Sequence, residues 1–152
     1  MLLILFEAGG QRYALDCTTV TEVIPLVNTR PIPHAPDYVT GMFRFKGNPV
    51  PVVDLHQLLA GEACPKRMST RILLSSIAFE DGKRFLGLMA ERATQAMKAK
   101  AGDFRPPGIE VEDAPYLGGI AGSGSDMVQL IKVEKLLPEK LKTMLFAQGA
   151  DQ

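Results

Sequence analysis

The sequence predicts a mainly β fold, two small closed barrels with a few short helices. Three observations predict it. Pro25, Pro31, Pro33, Pro36, Pro49 and Pro51 deny helix to much of the first half, because proline lacks the amide a helix needs. Short apolar runs alternate with Gly-Gly, Asp-Gly and Gly-Ser turn signals. The second half also repeats the first at a nearly constant spacing.

The elements follow in order. Residues 2–6 are a continuous apolar run, which reads as a buried strand. Ala8, Gly9 and Gly10 turn the chain into a second strand from Gln11 to Leu15. Val20, Val23, Ile24 and Val27 are β-branched and favour a pleated backbone. Pro49 and Pro51 flank Val50 ahead of Val52, Val53 and Leu55, which suits a strand start or a sheet edge. Asp54 is placed to cap a short helix over 54–60, and Gly61 to end it. Residues 62–70 are a polar linker. Residues 71–79 and 84–90 form two strands around the Glu80-Asp81-Gly82 turn, since Asp-Gly tolerates positive φ. Residues 98–115, broken by Pro106, Pro107, Gly108 and Pro115, form a long loop. Met127 to Ile131 is a last strand. Leu136, Leu137, Leu141 and Leu145 recur at helical spacing, so the chain closes with an amphipathic helix interrupted near its start by Pro138.

The repeat gives the strands an organisation. Tyr38, Gly41, Val50, Leu58 and Leu59 recur 78 positions later as Tyr116, Gly119, Val128, Leu136 and Leu137. Met42, Val52, Val53 and Leu55 recur there as Ile120, Leu130, Ile131 and Val133. Upstream, Ala14 and Leu15 match Gly87 and Leu88 at a spacing of 73. Two copies of one module imply two barrels, whose closure removes exposed strand edges. The expected division is a first barrel over 1–66 and a second over 67–152, with some elements crossing, inside one domain spanning 1–152.

Composition bounds the function. The chain has 152 residues, 46% hydrophobic and 22% charged, enough to bury a core without disulfides or metal. Lys plus Arg and Asp plus Glu both number 17. With no basic excess to neutralise phosphates, nucleic acid is not an expected partner. Cys17 and Cys64 lack CxxC spacing and read as reduced cytosolic thiols. The Met1–Phe6 run lacks the basic flank and the length of a signal peptide, and no stretch reaches the length of a membrane span. A cytoplasmic protein is expected, brought to any membrane by a partner and not inserted itself.

Catalysis needs convergent polar groups, and none are evident. His34 and His56 have no partner at metal-ligand spacing and read as surface residues, so no metal or cofactor is expected. Gly122-Ser123-Gly124-Ser125 lacks the Lys-Ser/Thr of a phosphate loop and precedes a strand, so it reads as a hairpin turn. Phe43-Arg44-Phe45-Lys46 alternates aromatic and basic. That pattern supports an alternative reading as a small nucleic-acid-binding barrel, though one apolar and one solvated strand face explain it more simply.

Several segments together resemble one family. Residues 13–24 (Tyr-Ala-Leu-Asp-Cys-Thr-Thr-Val-Thr-Glu-Val-Ile) resemble a strand leading into a Val-x-Glu-Val/Ile segment. Pro33 through Tyr38, Gly41, Gly47 and Pro51-Val52-Val53-Asp54-Leu55 to Leu59 resemble its central block. Leu86 to Glu91 and Leu130 to Leu137 resemble its later strands. These are the marks of the CheW-like domain, over about residues 3–137. The resemblance implies two five-stranded SH3-like barrels packed together. It also implies a non-catalytic adaptor that couples chemoreceptors to a CheA-type histidine kinase. With no kinase or receiver segment in the sequence, the chain is expected to be the adaptor itself.

The implied partners are the helical hairpin tip of a chemoreceptor and the regulatory domain of the kinase. For the receptor, Val20, Glu22, Lys46 and Leu88 are expected to line a groove between the barrels. Val20 and Glu22 are two apart on one strand and so share a face, and Leu88 forms the opposite wall. For the kinase, Leu26, Val27 and Ile32 lie where proline leaves apolar side chains at a barrel end. One departure stands out. The family commonly reads Asn-Leu-Arg-Gly where this chain has Arg44-Phe45-Lys46-Gly47. Lysine keeps the charge but loses the planar fork of arginine. The departure points to an auxiliary adaptor of an alternative pathway, such as surface sensing that controls cyclic-di-GMP.

Overall fold

The structure, a computed structural model, describes residues 1–108 and 112–147, leaving aside the side chains of Thr94 and Ala147. Its strands are β1 (Leu2–Ala8), β2 (Gln11–Asp16), β3 (Val20–Pro25), β4 (Val39–Phe45), β5 (Asn48–Asp54), β6 (Arg71–Phe79), β7 (Gly82–Lys98), β8 (Leu117–Ala121) and β9 (Val128–Ile131). Helix α1 (Leu55–Ala60) and helix α2 (Glu139–Lys142) are short, and α2 widens into a π turn over Thr143–Ala147.

Strand β7 carries the architecture. Through Ala90 it pairs with β6, and over Val52–Asp54 it runs parallel to β5. From Glu91 onward it pairs with β1 instead. One sheet therefore runs β3-β6-β7-β5-β4, and the other β7-β1-β2-β9-β8. We call the first the central barrel and the second the terminal barrel, because the latter joins strands from both ends of the chain. Two backbone bridges link the outer strands. Arg30 and Met42 exchange hydrogen bonds of 2.8 Å in the central barrel. Arg105 and Ile120 exchange bonds of 2.9 and 2.8 Å in the terminal barrel.

Glycine permits both bridges. Gly41 has φ +147°, and a Cβ there would strike the Arg30 carbonyl. At the matching Gly119 a Cβ would come within 3.0 Å of the Arg105 carbonyl. The 78-residue repeat also appears in hydrogen bonds. Asp54 N–H donates to Tyr38 C=O at 2.6 Å, and Lys132 N–H to Tyr116 C=O at 2.7 Å.

The pairing corrects the expected cut at 66/67. Each copy of the repeat is a hairpin followed by three strands: β1-β2 then β3-β4-β5, and β6 with the first half of β7, then its second half, β8 and β9. Each barrel takes its hairpin from one copy and its three strands from the other. Thus Ala14 lies beside Leu130, while its match Gly87 lies beside Val52. The strand half Glu91–Lys98 was not expected at all. Its Ala, Gln, Glu and Lys are weak strand formers, and pairing with apolar β1 overrides propensity.

Three cores result. Leu3, Leu5, Ala14 and Val128 fill the terminal barrel. Val52, Ile72 and Met89, with Cys64 beside them, fill the central one. The largest lies between the barrels and includes Phe6, Leu15, Val53, Leu73, Leu88 and Ile131. Matched residues take matched places: Leu15 and Leu88 both sit in that shared core with no exposed surface. The amphipathic tail seals it with Leu136, Leu137, Leu141 and Phe146.

Candidate functional site

The residues expected at the receptor site do not share one groove. Leu88 is fully buried in the shared core, between Leu73 and Val53 of the neighbouring strands. It presents nothing to a partner, which corrects the expected opposite wall. Val20 and Glu22 lie on opposite faces. Val20 pairs with Ser75 and Glu22 with Leu74, so an extra residue, Thr21, is inserted between them. Such a bulge breaks the two-residue alternation that the same-face argument needs. The Thr21 hydroxyl donates to Leu74 C=O at 3.0 Å and anchors the bulge. Val20 is half-buried against the edge of the shared core, while Glu22 stands in solvent.

Lys46 sits at the tip of the β4-β5 hairpin. Phe45 pairs with Asn48, so Lys46 and Gly47 form a two-residue turn, with φ +51° and +84°. Both central residues having positive φ matches the twist of the flanking strands. The strand order places Val20 opposite Ser75, one residue before Ser76, whose partner Phe85 packs on Phe45. The β3 edge and the Lys46 turn are thus linked through β6 and β7.

A groove lined by both copies of the repeat lies elsewhere. An open groove of about 570 Å³ is lined by Tyr38 and Leu58 of one copy and by their matches Tyr116 and Leu136 of the other, together with Pro138. None of the four expected receptor residues lines it.

The expected kinase residues also divide. Leu26 packs against the interior of the central barrel, and Ile32 against the shared core. Val27 is 36% exposed. An exposed apolar residue nearby that the sequence reading missed is Val23, at 45%. Val23 lies on β3 beside Ile24, which packs on the interior of the central barrel, and Val27 follows two residues past the end of the strand. Among the described residues β3 pairs with β6 alone, so its outer edge carries unpaired backbone groups beside Val23.

The polar residues serve structure. Asp54 caps α1, accepting from Gln57 N–H at 3.1 Å, and also holds Cys64 N–H at 2.9 Å. Gly61 ends the helix in the left-handed region. His56 is buried, a correction to its expected surface place. Its Nδ1 lies 2.8 Å from Glu62 C=O, and its Nε2 accepts from Gly9 N–H at 3.4 Å. The Nδ1–H tautomer satisfies both and ties the β1-β2 turn to α1. Burial, then the nearby carboxylates of Asp54 and Glu91, push the Cys64 thiol up to about 12, so it is a poor nucleophile. Where β7 passes between barrels, buried Glu91 meets Arg67 at 2.6 Å and Arg92 meets Glu7 at 3.4 Å. Among the described residues no His, Cys, Asp and Glu cluster is arranged to hold a metal. Among the described residues no helix is long and apolar enough to cross a membrane. Phe43 packs into the central barrel and Phe45 meets Phe85 edge-on, so both rings are already engaged by the chain's own side chains.

The sequence profile of the CheW-like domain matches residues 2–141. The chain belongs to the CheW-like family. The chemotaxis protein CheW of Treponema pallidum is 25% identical over 142 residues, covering 91% of this chain and 82% of that protein. CheW of Klebsiella aerogenes is 26% identical, over 88% and 80% of the two chains. The protein FrzA of Myxococcus xanthus is 27% identical, over 87% and 82%. The crystal structure of the scaffolding protein TtCheW from Thermoanaerobacter tengcongensis superposes with a TM-score of 0.77 at 25% identity, covering 90% of this chain and 87% of that one. The paired barrels are therefore the SH3-like barrels of the CheW fold. The chain is a CheW-like adaptor, a non-catalytic scaffold that couples chemoreceptors to a CheA-type kinase.

Proposed function

We propose that the adaptor meets its two partners through the central barrel. The helical hairpin tip of a chemoreceptor docks on the surface carrying Val20, Glu22 and Lys46, and the regulatory domain of the kinase docks at the free edge of β3 around Val27. The adaptor is held at membrane receptor arrays through these contacts. Leu88, Leu26 and Ile32 act through packing beneath the two surfaces. The observation that carries this reading is the exposed β3 edge. A strand edge with exposed Val23 beside unpaired backbone groups, and exposed Val27 just past its end, invites another chain. Lys46 adds a charge that tunes encounter more than affinity. Lysine in place of arginine at this turn is consistent with service in an alternative chemosensory pathway.

The test is a titration of a receptor-tip fragment and of the kinase regulatory domain against single variants, with melting curves as controls. Val20→Asp should weaken the receptor fragment by on the order of 2 kcal/mol if Val20 is a hot spot. Val27→Asp should weaken the kinase domain and leave the receptor fragment unaffected. If Leu58→Asp, in the Tyr38–Tyr116 groove, abolishes receptor binding while folded Val20→Asp binds normally, the receptor surface is misplaced.

A further inference from the structure

The Lys46 turn is built at a conformational cost. A type I′ turn favours Asn, Asp or Gly at its first central position, and a lysine with φ +51° is uncommon there. The side chain is held rather than free. Its ammonium lies 5.2 Å from the centroid of the Phe45 ring, inside the range of a cation–π contact. That ring meets Phe85 edge-on, with centroids 6.0 Å apart and planes at 85°. The neighbouring cation is occupied differently: the Arg44 guanidinium donates to Gly47 C=O at 3.3 Å and fastens the turn. Among the described residues no carboxylate lies within ion-pair distance of Lys46.

A second cation on an aromatic pair gives the contrast. Arg84 lies over Phe79, which leans on Phe146. Phe79 and Phe146 belong to the shared core, so that arrangement covers packing. Phe45 and Phe85 are only partly buried and belong to no core, and Lys46 is exposed beyond them. An ammonium resting on a ring by one side keeps N–H donors pointing away from it, ready for an acceptor.

We propose that Phe45 and Phe85 are positioning residues that hold the Lys46 ammonium for a carboxylate of the docked partner. The partner's chemistry at this point is therefore an acidic side chain on the receptor's helical hairpin. The inference rests on the receptor-docking reading of Lys46, and the experiment separates the two. The first measurement needs no partner. The Cε protons of Lys46 should resonate upfield of those of exposed Lys83, through the ring current of Phe45. The shift should vanish in Phe45→Leu and persist in Phe45→Trp. Lys46 protons at the same position as those of Lys83 in the parent protein would overturn the stack outright.

The second measurement uses the full chain and a receptor-tip hairpin fragment, with melting curves as controls. Phe45→Leu should weaken binding about two- to fivefold, and Phe45→Trp should restore it. In a Lys46→Ala background Phe45→Leu should add nothing. A fragment whose acidic side chains are changed to the matching amides should bind parent and Lys46→Ala alike. If Lys46→Ala weakens binding and Phe45→Leu does not, the positioning role is wrong while the receptor reading stands. If Lys46→Ala binds as the parent does, the receptor reading of Lys46 fails, and the proposed carboxylate contact fails with it.

Discussion

The two barrels match strand for strand, yet their hairpin tips differ. In the central barrel, β4 and β5 join through the two-residue Lys46-Gly47 turn, flanked by Arg44. In the terminal barrel, the matching β8 and β9 join through Gly122 to Met127, which carries Asp126 and no cation. Matched residues take matched places inside, Leu3 and Ile72 in the two interiors and Leu15 and Leu88 in the shared core, all without exposed surface. The lesson is a division of labour. The repeated residues build two barrels and the core between them, and the unrepeated turns distinguish one barrel's surface from the other's.

The largest expected effects concern what the barrels share. Leu88→Ala and Leu15→Ala each empty a matched place in the common core and should each cost about 2–5 kcal/mol in denaturant unfolding. A loss confined to one of them would break the equivalence of the barrels.

The bridge glycines sharpen the comparison. Gly41→Ala forces a side chain into the left-handed region and against Arg30 C=O, with strain alone worth about 1–3 kcal/mol. Gly119→Ala meets Arg105 C=O at 3.0 Å without a left-handed φ and should cost less. Thermal melts of the two variants give the order directly, and a reversed order would contradict the geometry.

Cys64 separates the barrels by chemistry, since it closes the interior of the central barrel only. Its thiol rises from 9.0 to about 12 in the folded protein, through burial first and the Asp54 and Glu91 charges next. The neutral thiol is the form the fold prefers. Stability from this group is therefore complete below pH 9 and is lost as pH rises towards 12. Cys64→Ala should flatten that alkaline decline, seen as a smaller change in melting temperature above pH 9 than in the parent.

Much of this was legible in the sequence. The 78- and 73-residue spacings name residues that the structure places in matched positions, down to the Asp54–Tyr38 and Lys132–Tyr116 hydrogen bonds. Turn chemistry located the Gly9-Gly10, Asp81-Gly82 and Gly122–Ser125 turns but not the Lys46-Gly47 turn, whose first residue is not a usual turn former, and Asp54 and Gly61 bounded α1 as expected. The exchange of hairpins was not legible, because a repeat spacing does not say which copy a strand will pair with. The Thr21 bulge was hidden for a related reason: inserting one residue into a ladder leaves no mark in an apolar pattern. Leu88 was misplaced because an apolar residue on a strand beside a partner barrel suits a groove and a core equally well. His56 shows the same limit, since the Gly9 N–H that its Nε2 accepts lies 47 positions away.

The most direct test of the division of labour is a charge exchange between the two matched turns. Lys46→Glu and Asp126→Lys would be titrated with the receptor-tip fragment at low and high salt, after melting curves confirm folding. The account predicts that Lys46→Glu weakens binding about tenfold at low salt, with a smaller loss at high salt as screening grows, and that Asp126→Lys binds as the parent does. Equal losses in both variants, or a loss in Asp126→Lys alone, would contradict the assignment of the receptor surface to the central barrel.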